Sequence, residues 1–286
     1  MFSLPEPKPV RLKTPVKDGR QLTALAYRRA QRRDTALIYL HGIESHASWF
    51  DRAGRLLARR GYDVYALDRR GSGLNRENEG FISGHVDTYR TLLADLDPLV
   101  TSLRRKYQNV HLVGLSWGGK YAVGYALATA KVDGLILITP GLKARIQPPL
   151  AKKLAIFLCS YLAPTAQFTT GIEPEMFTTT PLYLRQIRMD PLRLRTASAR
   201  FLVQSNALER DIERNLSENR LPILVLLAGR DQIIDNTAVT TLLHRSAVKP
   251  DIIIYEDQTH SIQFDAPEWM VRDIVHWLKA RHQHEN

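Results

Sequence analysis

Three side chains that can together activate a hydroxyl for attack lie far apart in this chain, each just beyond a short apolar run. Ser116 sits in Gly114-Leu115-Ser116-Trp117-Gly118, Asp231 in Gly229-Arg230-Asp231, and His260 in Glu256-Asp257-Gln258-Thr259-His260. A serine hydroxyl is a poor nucleophile until a base takes its proton. His260 is the candidate base, and Asp231 is the carboxylate that would fix its tautomer and stabilise the imidazolium. The Gly-x-Ser-x-Gly frame points to a strand-to-helix turn so sharp that only small flanking residues let the two elements pass. The chemistry these residues can perform is acyl transfer.

Acyl transfer through a tetrahedral intermediate also needs donors for its oxyanion, usually two backbone N–H groups. Trp117, directly after the serine, offers one. Ile43, following His41-Gly42 in the loop after the third strand, offers the other, with His41 read as a structural hydrogen-bonder that holds this loop. Rival groups read differently. Asp235-Asn236-Thr237 has the form of a helix cap, and Asp257 and Asp265 are too near His260 in sequence to reach around its ring. His111 lies within a strand and reads as structural, His85 as a helix-start residue without a partner, and His282 and His284 as solvated tail. Gly114 to Tyr121 nearly spells a phosphate-binding loop, but Tyr121 stands where a magnesium-binding hydroxyl is required. No metal-ligand spacing appears, so the sequence asks for no metal and no cofactor.

Several elements must bring these residues together. Val10 to Val16 and Gln21 to Arg28 alternate apolar with polar around the turn-like Lys17-Asp18-Gly19-Arg20, predicting a hairpin. Six short apolar runs follow: Ala36 to Leu40, Asp63 to Leu67, Val110 to Leu115, Gly134 to Thr139, Pro222 to Ala228 and Asp251 to Tyr255. Such runs predict parallel strands buried on both faces. Amphipathic stretches between them (Trp49 to Arg60, Val86 to Tyr107, Gly119 to Ala130, Thr237 to Ser246, Pro267 to Arg281) predict right-handed crossover helices. In such a sheet ligands bind outside the carboxyl ends of the strands, which is where all three candidates fall. The interval from Gly141 to Arg220 breaks the rhythm and predicts an inserted helical cap. Its stripe of Leu150, Leu154, Phe157, Leu158 and Tyr161 has helical spacing and is expected to pack on the core, with the lining of an apolar substrate channel as the alternative.

Composition narrows the class. The chain has 286 residues, 44% hydrophobic and 24% charged, which suits a globular core with an insertion. The single cysteine, Cys159, excludes an internal disulfide and agrees with a reducing, cytoplasmic setting. No run approaches the ~18 apolar residues that cross a bilayer, and the start does not have the order of a secretory signal. The net charge is +11, concentrated in residues 1–33, with nine Lys/Arg against two acids, and in residues 141–200, with nine against three. Basic surfaces attract anionic lipid heads, acidic substrates or nucleic acid. No motif supports nucleic acid as a partner; the charge reads first as a solvated, soluble surface, with peripheral contact with an anionic membrane as the alternative.

From about residue 10 to the C-terminus the chain resembles the α/β-hydrolase fold, and within it the monoacylglycerol lipase and lysophospholipase branch, close to the serine aminopeptidase S33 group. The carrying residues are His41-Gly-Ile-Glu-Ser-His46, Val64-Tyr-Ala-Leu-Asp68-Arg-Arg-Gly-Ser-Gly73, Gly114-Leu-Ser-Trp-Gly-Gly119, Leu137-Ile-Thr-Pro140, Asp190-Pro-Leu192, and Ala228-Gly-Arg-Asp231 with Thr259-His260. The resemblance implies a mostly parallel eight-stranded sheet with helices on both faces, a core of residues 1–140 and 221–286, and a cap over 141–220. It implies a cofactor-free serine esterase acting on a small ester or lipid, with Ser116, Asp231 and His260 catalytic and Ile43 and Trp117 forming the oxyanion hole. Thioesterase, small-ester esterase and aminopeptidase remain open on the same machinery, the last needing acids such as Glu173 and Glu175 near the cap. A non-catalytic binding protein on this fold is a further alternative. The family's elbow commonly reads His-Ser-Met-Gly-Gly, so Leu115 and Trp117 are departures, and the larger Trp117 is expected to narrow the acyl entrance.

Overall fold

A computed structural model gives the structure of the chain and describes residues 8–28, 34–76 and 80–282. The expectations for the first seven residues, for the side chain of His282 and for His284 lie outside the described residues. Among the described residues ten strands and ten α-helices follow one another. The strands are β1 (Val10–Pro15), β2 (Gln21–Tyr27), β3 (Thr35–Leu40), β4 (Asp63–Leu67), β5 (Asn109–Leu115), β6 (Gly134–Ile138), β7 (Gln167–Thr169), β8 (Thr196–Ser198), β9 (Ile223–Ala228) and β10 (Asp251–Tyr255). The helices are α1 (Asp51–Arg59), α2 (Tyr89–Arg104), α3 (Trp117–Thr129), α4 (Leu150–Leu162), α5 (Pro174–Phe177), α6 (Pro181–Met189), α7 (Ala199–Asn215), α8 (Asn236–Leu243), α9 (Ile262–Asp265) and α10 (Pro267–His282).

Eight strands form one sheet in the order β1-β2-β4-β3-β5-β6-β9-β10. Strand β2 runs antiparallel to both β1 and β4, and the other neighbours pair in parallel. Because alternate strand residues face opposite sides, each strand feeds two cores. In β3, Ile38 and Leu40 join the layer beneath α2 and α3, with Leu92, Leu96 and Tyr121. Leu37 and Tyr39 face the layer of α1 and α10, with Leu57, Met270 and Ile274. The expected helix limits shift where side chains cap the turns. Thr88 accepts from the Arg90 amide, so α2 starts at Tyr89, and Asp235 accepts from Ala238, starting α8.

Two expectations about burial fail. Strand β10 is not covered on both faces: Asp251 and Ile254 are exposed and only Tyr255 is buried, because β10 is an edge strand paired with β9 alone. The apolar stripe of α4 does not pack on the core either. Leu150, Leu154, Phe157, Leu158 and Tyr161 are between 49% and 83% exposed, and only Ile156 and Ser160 of this helix are buried. Helix α4 lies across α7 and turns its stripe to solvent. The two-stranded β7–β8 pair and helices α4 to α7 all fall between β6 and β9.

Candidate active site

Strand β5 ends at Leu115 and α3 begins at Trp117, leaving Ser116 alone in the turn with φ 52° and ψ −124°. A side chain other than glycine in this region stores strain, held only where the surroundings over-determine it. Here the Ser116 amide donates to Ile138 O (2.9 Å), and its carbonyl accepts from Gly119 (2.8 Å) and Gly141 (2.6 Å). The turn also depends on backbone contact. A Cβ on Gly118 would lie 2.0 Å from Leu40 O, and one on Gly114 would lie 2.6 Å from Gly118 O. Strand β3 and the start of α3 therefore touch directly, which sets the His41-Gly42-Ile43 loop beside the serine.

Asp231 follows β9 and His260 follows β10, whose parallel pairing puts both at one sheet edge. Asp231 Oδ2 lies 2.8 Å from His260 Nδ1, and both side chains are fully buried. The other oxygen, Oδ1, accepts from the amides of Ile233 (2.8 Å) and Ile234 (3.0 Å), fixing the carboxylate plane. Thr139 Oγ1 donates to the His260 carbonyl (3.0 Å), and Phe177 packs edge-on against the imidazole. Among the described residues His260 Nε2 has no hydrogen-bond partner. The structure thus joins Asp231 to His260, while no hydrogen bond closes between His260 and Ser116. In serine hydrolases the contact between base and nucleophile is often long before substrate binds.

Ile43 and Trp117 line, with Ser116, a cavity of about 710 Å³. Among the described residues neither backbone amide donates to another protein group. Trp117 is 5% exposed and locked: its Nε1 donates to Ser205 Oγ of α7 (2.8 Å), and its ring leans on Phe201. The cavity continues along α7 past Leu202, Ser205 and Glu209 and under α4 past Ile156 and Phe157.

The rival groups have other occupations. Asp265 accepts from the hydroxyls of Thr178, Thr180 and Thr259. Asp257 pairs with Arg230 in the open, and His111 packs against Trp277. His85 lies before α2 rather than at its start, and it has a partner: Nδ1 is 2.8 Å from Ser198 Oγ. Glu175, one of the two acids suited to an amine, is half-exposed in an ion pair with Arg188. Burial and the neighbouring Arg69 hold His41 well below its ordinary pKa, so it is neutral and serves the loop.

Four polar groups around the site were not legible as such in the sequence. Buried Glu44 pairs with Arg193 (2.6 Å) and accepts from Thr170, tying the loop after β3 to the segment between β6 and β9. Burial raises the Glu44 carboxyl, against the opposing pull of Thr170 and Arg193. Asp190 accepts from Trp49 Nε1 (2.6 Å) and lies 2.8 Å from His46 Nε2. Burial pushes the Asp190 carboxyl up, but these hydrogen bonds and that of the Leu192 amide outweigh it and hold the pKa at about 2. Lys120, one helical turn after Ser116, is buried against Glu209 (2.8 Å), and burial lowers its pKa. Arg69 is buried between Trp117 and the loop after β3.

The family model for serine aminopeptidase, S33, matches residues 31–267. Phospholipase YtpA of Bacillus subtilis (strain 168) is 23% identical over 214 residues, 74% of this chain and 81% of that protein. The crystal structure of the Paleococcus ferrophilus monoacylglycerol lipase superposes with a TM-score of 0.80 at 22% identity, covering 91% of this chain and 98% of that one. A soluble variant of the Saccharomyces cerevisiae monoglyceride lipase, in complex with a substrate analog, gives 0.79 at 16% identity, covering 97% and 96%. The two structural likenesses establish a common fold.

Proposed function

The chain belongs to the serine aminopeptidase S33 family of α/β hydrolases, and from that premise we propose that it cleaves carboxylic esters through an acyl-enzyme. The observation that carries the reading is the buried Asp231–His260 hydrogen bond, with the remaining imidazole nitrogen unpartnered, at the sheet edge where Ser116 stands in a strained turn. Ser116 Oγ attacks the ester carbonyl while His260 Nε2 takes its proton, and Asp231 stabilises the imidazolium. The Ile43 and Trp117 amides receive the oxyanion. Collapse breaks the bond to the alcohol, which leaves with the proton from His260. Water then attacks the acyl-enzyme by the same route, releasing the acid and restoring Ser116.

The favoured substrates are monoacylglycerols or lysophospholipids. Support comes from the cavity, whose walls include Ile43, Trp117, Ile156 and Leu202, and from the names of the relatives. Residues 141–220 serve in this reading as a cap on a core of 1–140 and 221–286. The outward leucines of α4, with Lys152 and Lys153 among them, suit peripheral contact with an anionic lipid surface, since an exposed apolar patch marks an interaction site. Among the described residues no helix is long and apolar enough to cross a membrane.

The test is fluorophosphonate labelling of wild type and Ser116→Ala, coupled to hydrolysis of esters of graded acyl length. The reading expects labelling and turnover that both vanish in the variant, with a preference for long chains. Labelling that persists without Ser116 overturns the mechanism. Activity confined to short acyl chains overturns the lipid assignment.

A further inference from the structure

Resting on that reading, we propose that Arg69 is a positioning residue for the oxyanion hole: its guanidinium aims and polarises the Ile43 N–H and braces the Trp117 ring from behind. Arg69 Nη1 donates to Gly42 O (2.8 Å) and Nη2 to Ile43 O (2.6 Å). One planar fork thus holds the carbonyls of two successive peptides. The first matters most, because Gly42 C=O and Ile43 N–H belong to the same peptide unit. In a trans peptide these two groups point in opposite directions, and among the described residues there is no cis peptide bond. A carbonyl fixed toward Arg69 therefore turns the Ile43 N–H away from it. Gly42 sits so close to the serine that a Cβ there would lie 3.2 Å from Ser116 Cβ.

Electrostatics act in the same direction. A hydrogen bond accepted by a carbonyl strengthens the donor at the other end of that amide, and a buried charged donor does so most. The Arg69 side chain also lies 5.1 Å from the Trp117 ring and 5.5 Å from that of Phe201. Its cation therefore lies against the Ile43 peptide and beside the Trp117 side chain. Nearby Asp68 does not consume that charge through hydrogen bonds, since its oxygens accept the Ala47 (2.7 Å) and Leu74 (2.9 Å) amides. Burial lowers the Arg69 pKa to about 9, so the cation persists at neutral pH. An arginine buried only to fill space would be a poor choice, because desolvating a charge is costly. Here the cost places a positive potential behind the point where negative charge develops.

The experiment compares wild type, Arg69→Met and Arg69→Lys in three measurements: steady-state ester hydrolysis, affinity for an alkylboronic acid and affinity for a non-hydrolysable ether analogue of the ester. The boronic acid forms a tetrahedral serine adduct, whereas the ether mimics the ground state. Removing an oxyanion donor outright costs about 10²–10³ in kcat, and Arg69 acts through one. Arg69→Met is therefore expected to lose about 10- to 100-fold in kcat with KM within about twofold. Boronate affinity should fall in parallel and ether affinity should hold. Arg69→Lys keeps the charge but reaches one carbonyl, and should fall between the two; it decides the matter should the Met variant fail to fold. Wild-type kcat and boronate affinity in a folded variant overturn the inference, as does an equal loss of boronate and ether affinity, which marks a merely structural role. Undiminished turnover by Ser116→Ala would instead remove the underlying mechanism, so the two failures are distinguishable.

Discussion

Helices α3 and α4 have the same length, 13 residues, and both are rich in apolar side chains. In α3 every residue from Trp117 to Ala126 is buried, because the helix is wedged between the sheet, α2 and α7. In α4 only Ile156 and Ser160 are buried, and six large apolar side chains face solvent. Over those ten residues the first helix has no solvent-facing side, and only its last turn reaches water. The second has an apolar stripe, yet the stripe faces outward. A stripe therefore says that a face needs a partner, not that the fold supplies one.

Four measurements probe this contrast. The largest effect is expected at the start of α3: Ser116→Ala should lower ester turnover by at least about 10⁴-fold while leaving the melting temperature close to that of wild type. Full turnover would break the contrast, leaving α3 as packing alone. Gly118→Ala comes next, since its Cβ would meet Leu40 O at 2.0 Å. A backbone clash that no side-chain rotation relieves should cost more than about 3 kcal/mol, read as a collapse of the chemical-denaturation midpoint.

Asp190, beyond α6, lies like α4 between β6 and β9 but faces the core. Its carboxyl lies at about 2 when folded, against an ordinary 3.8. A depressed carboxyl contributes stability that is present above 3.8 and lost as pH falls through about 2. That contribution is on the order of 2 kcal/mol. Asp190→Asn should therefore destabilise the protein at neutral pH and flatten its melting temperature between pH 4 and 2. The smallest stability change is expected on α4. Leu150→Ser and Leu162→Ser, at sites 83% and 84% exposed, should each shift stability by less than about 0.5 kcal/mol. Together they should weaken co-sedimentation with anionic phospholipid vesicles at least about tenfold, since each buried leucine contributes roughly 1.5–3 kcal/mol. A large stability loss there would mean that the stripe is core after all.

The same contrast explains what the sequence could reveal. Strands β4 and β10 were legible to the residue as apolar runs between turn residues, whether or not both faces are covered. The placement of Ser116, Asp231 and His260 was legible because a parallel sheet delivers its strand ends to one edge, so chain order carries spatial information. Solvation was not legible on α4, where 3.6-residue periodicity is the same for a stripe facing in or out. Glu44 and Arg193 are separated by 149 positions, and nothing local marks either as buried. Arg69 stands beside Arg70 in a polar run after β4, and neither its type nor its spacing tells it from that neighbour. Only the return of the Gly42-Ile43 loop against it shows what the charge faces.

Cys159 is the one thiol in the chain, and it is partly exposed on α4, between Leu158 and Tyr161. A maleimide dye or nitroxide added to the unaltered protein would therefore attach to this helix and nowhere else. Its emission or line shape would report the surroundings of α4 with every residue around Ser116 left untouched.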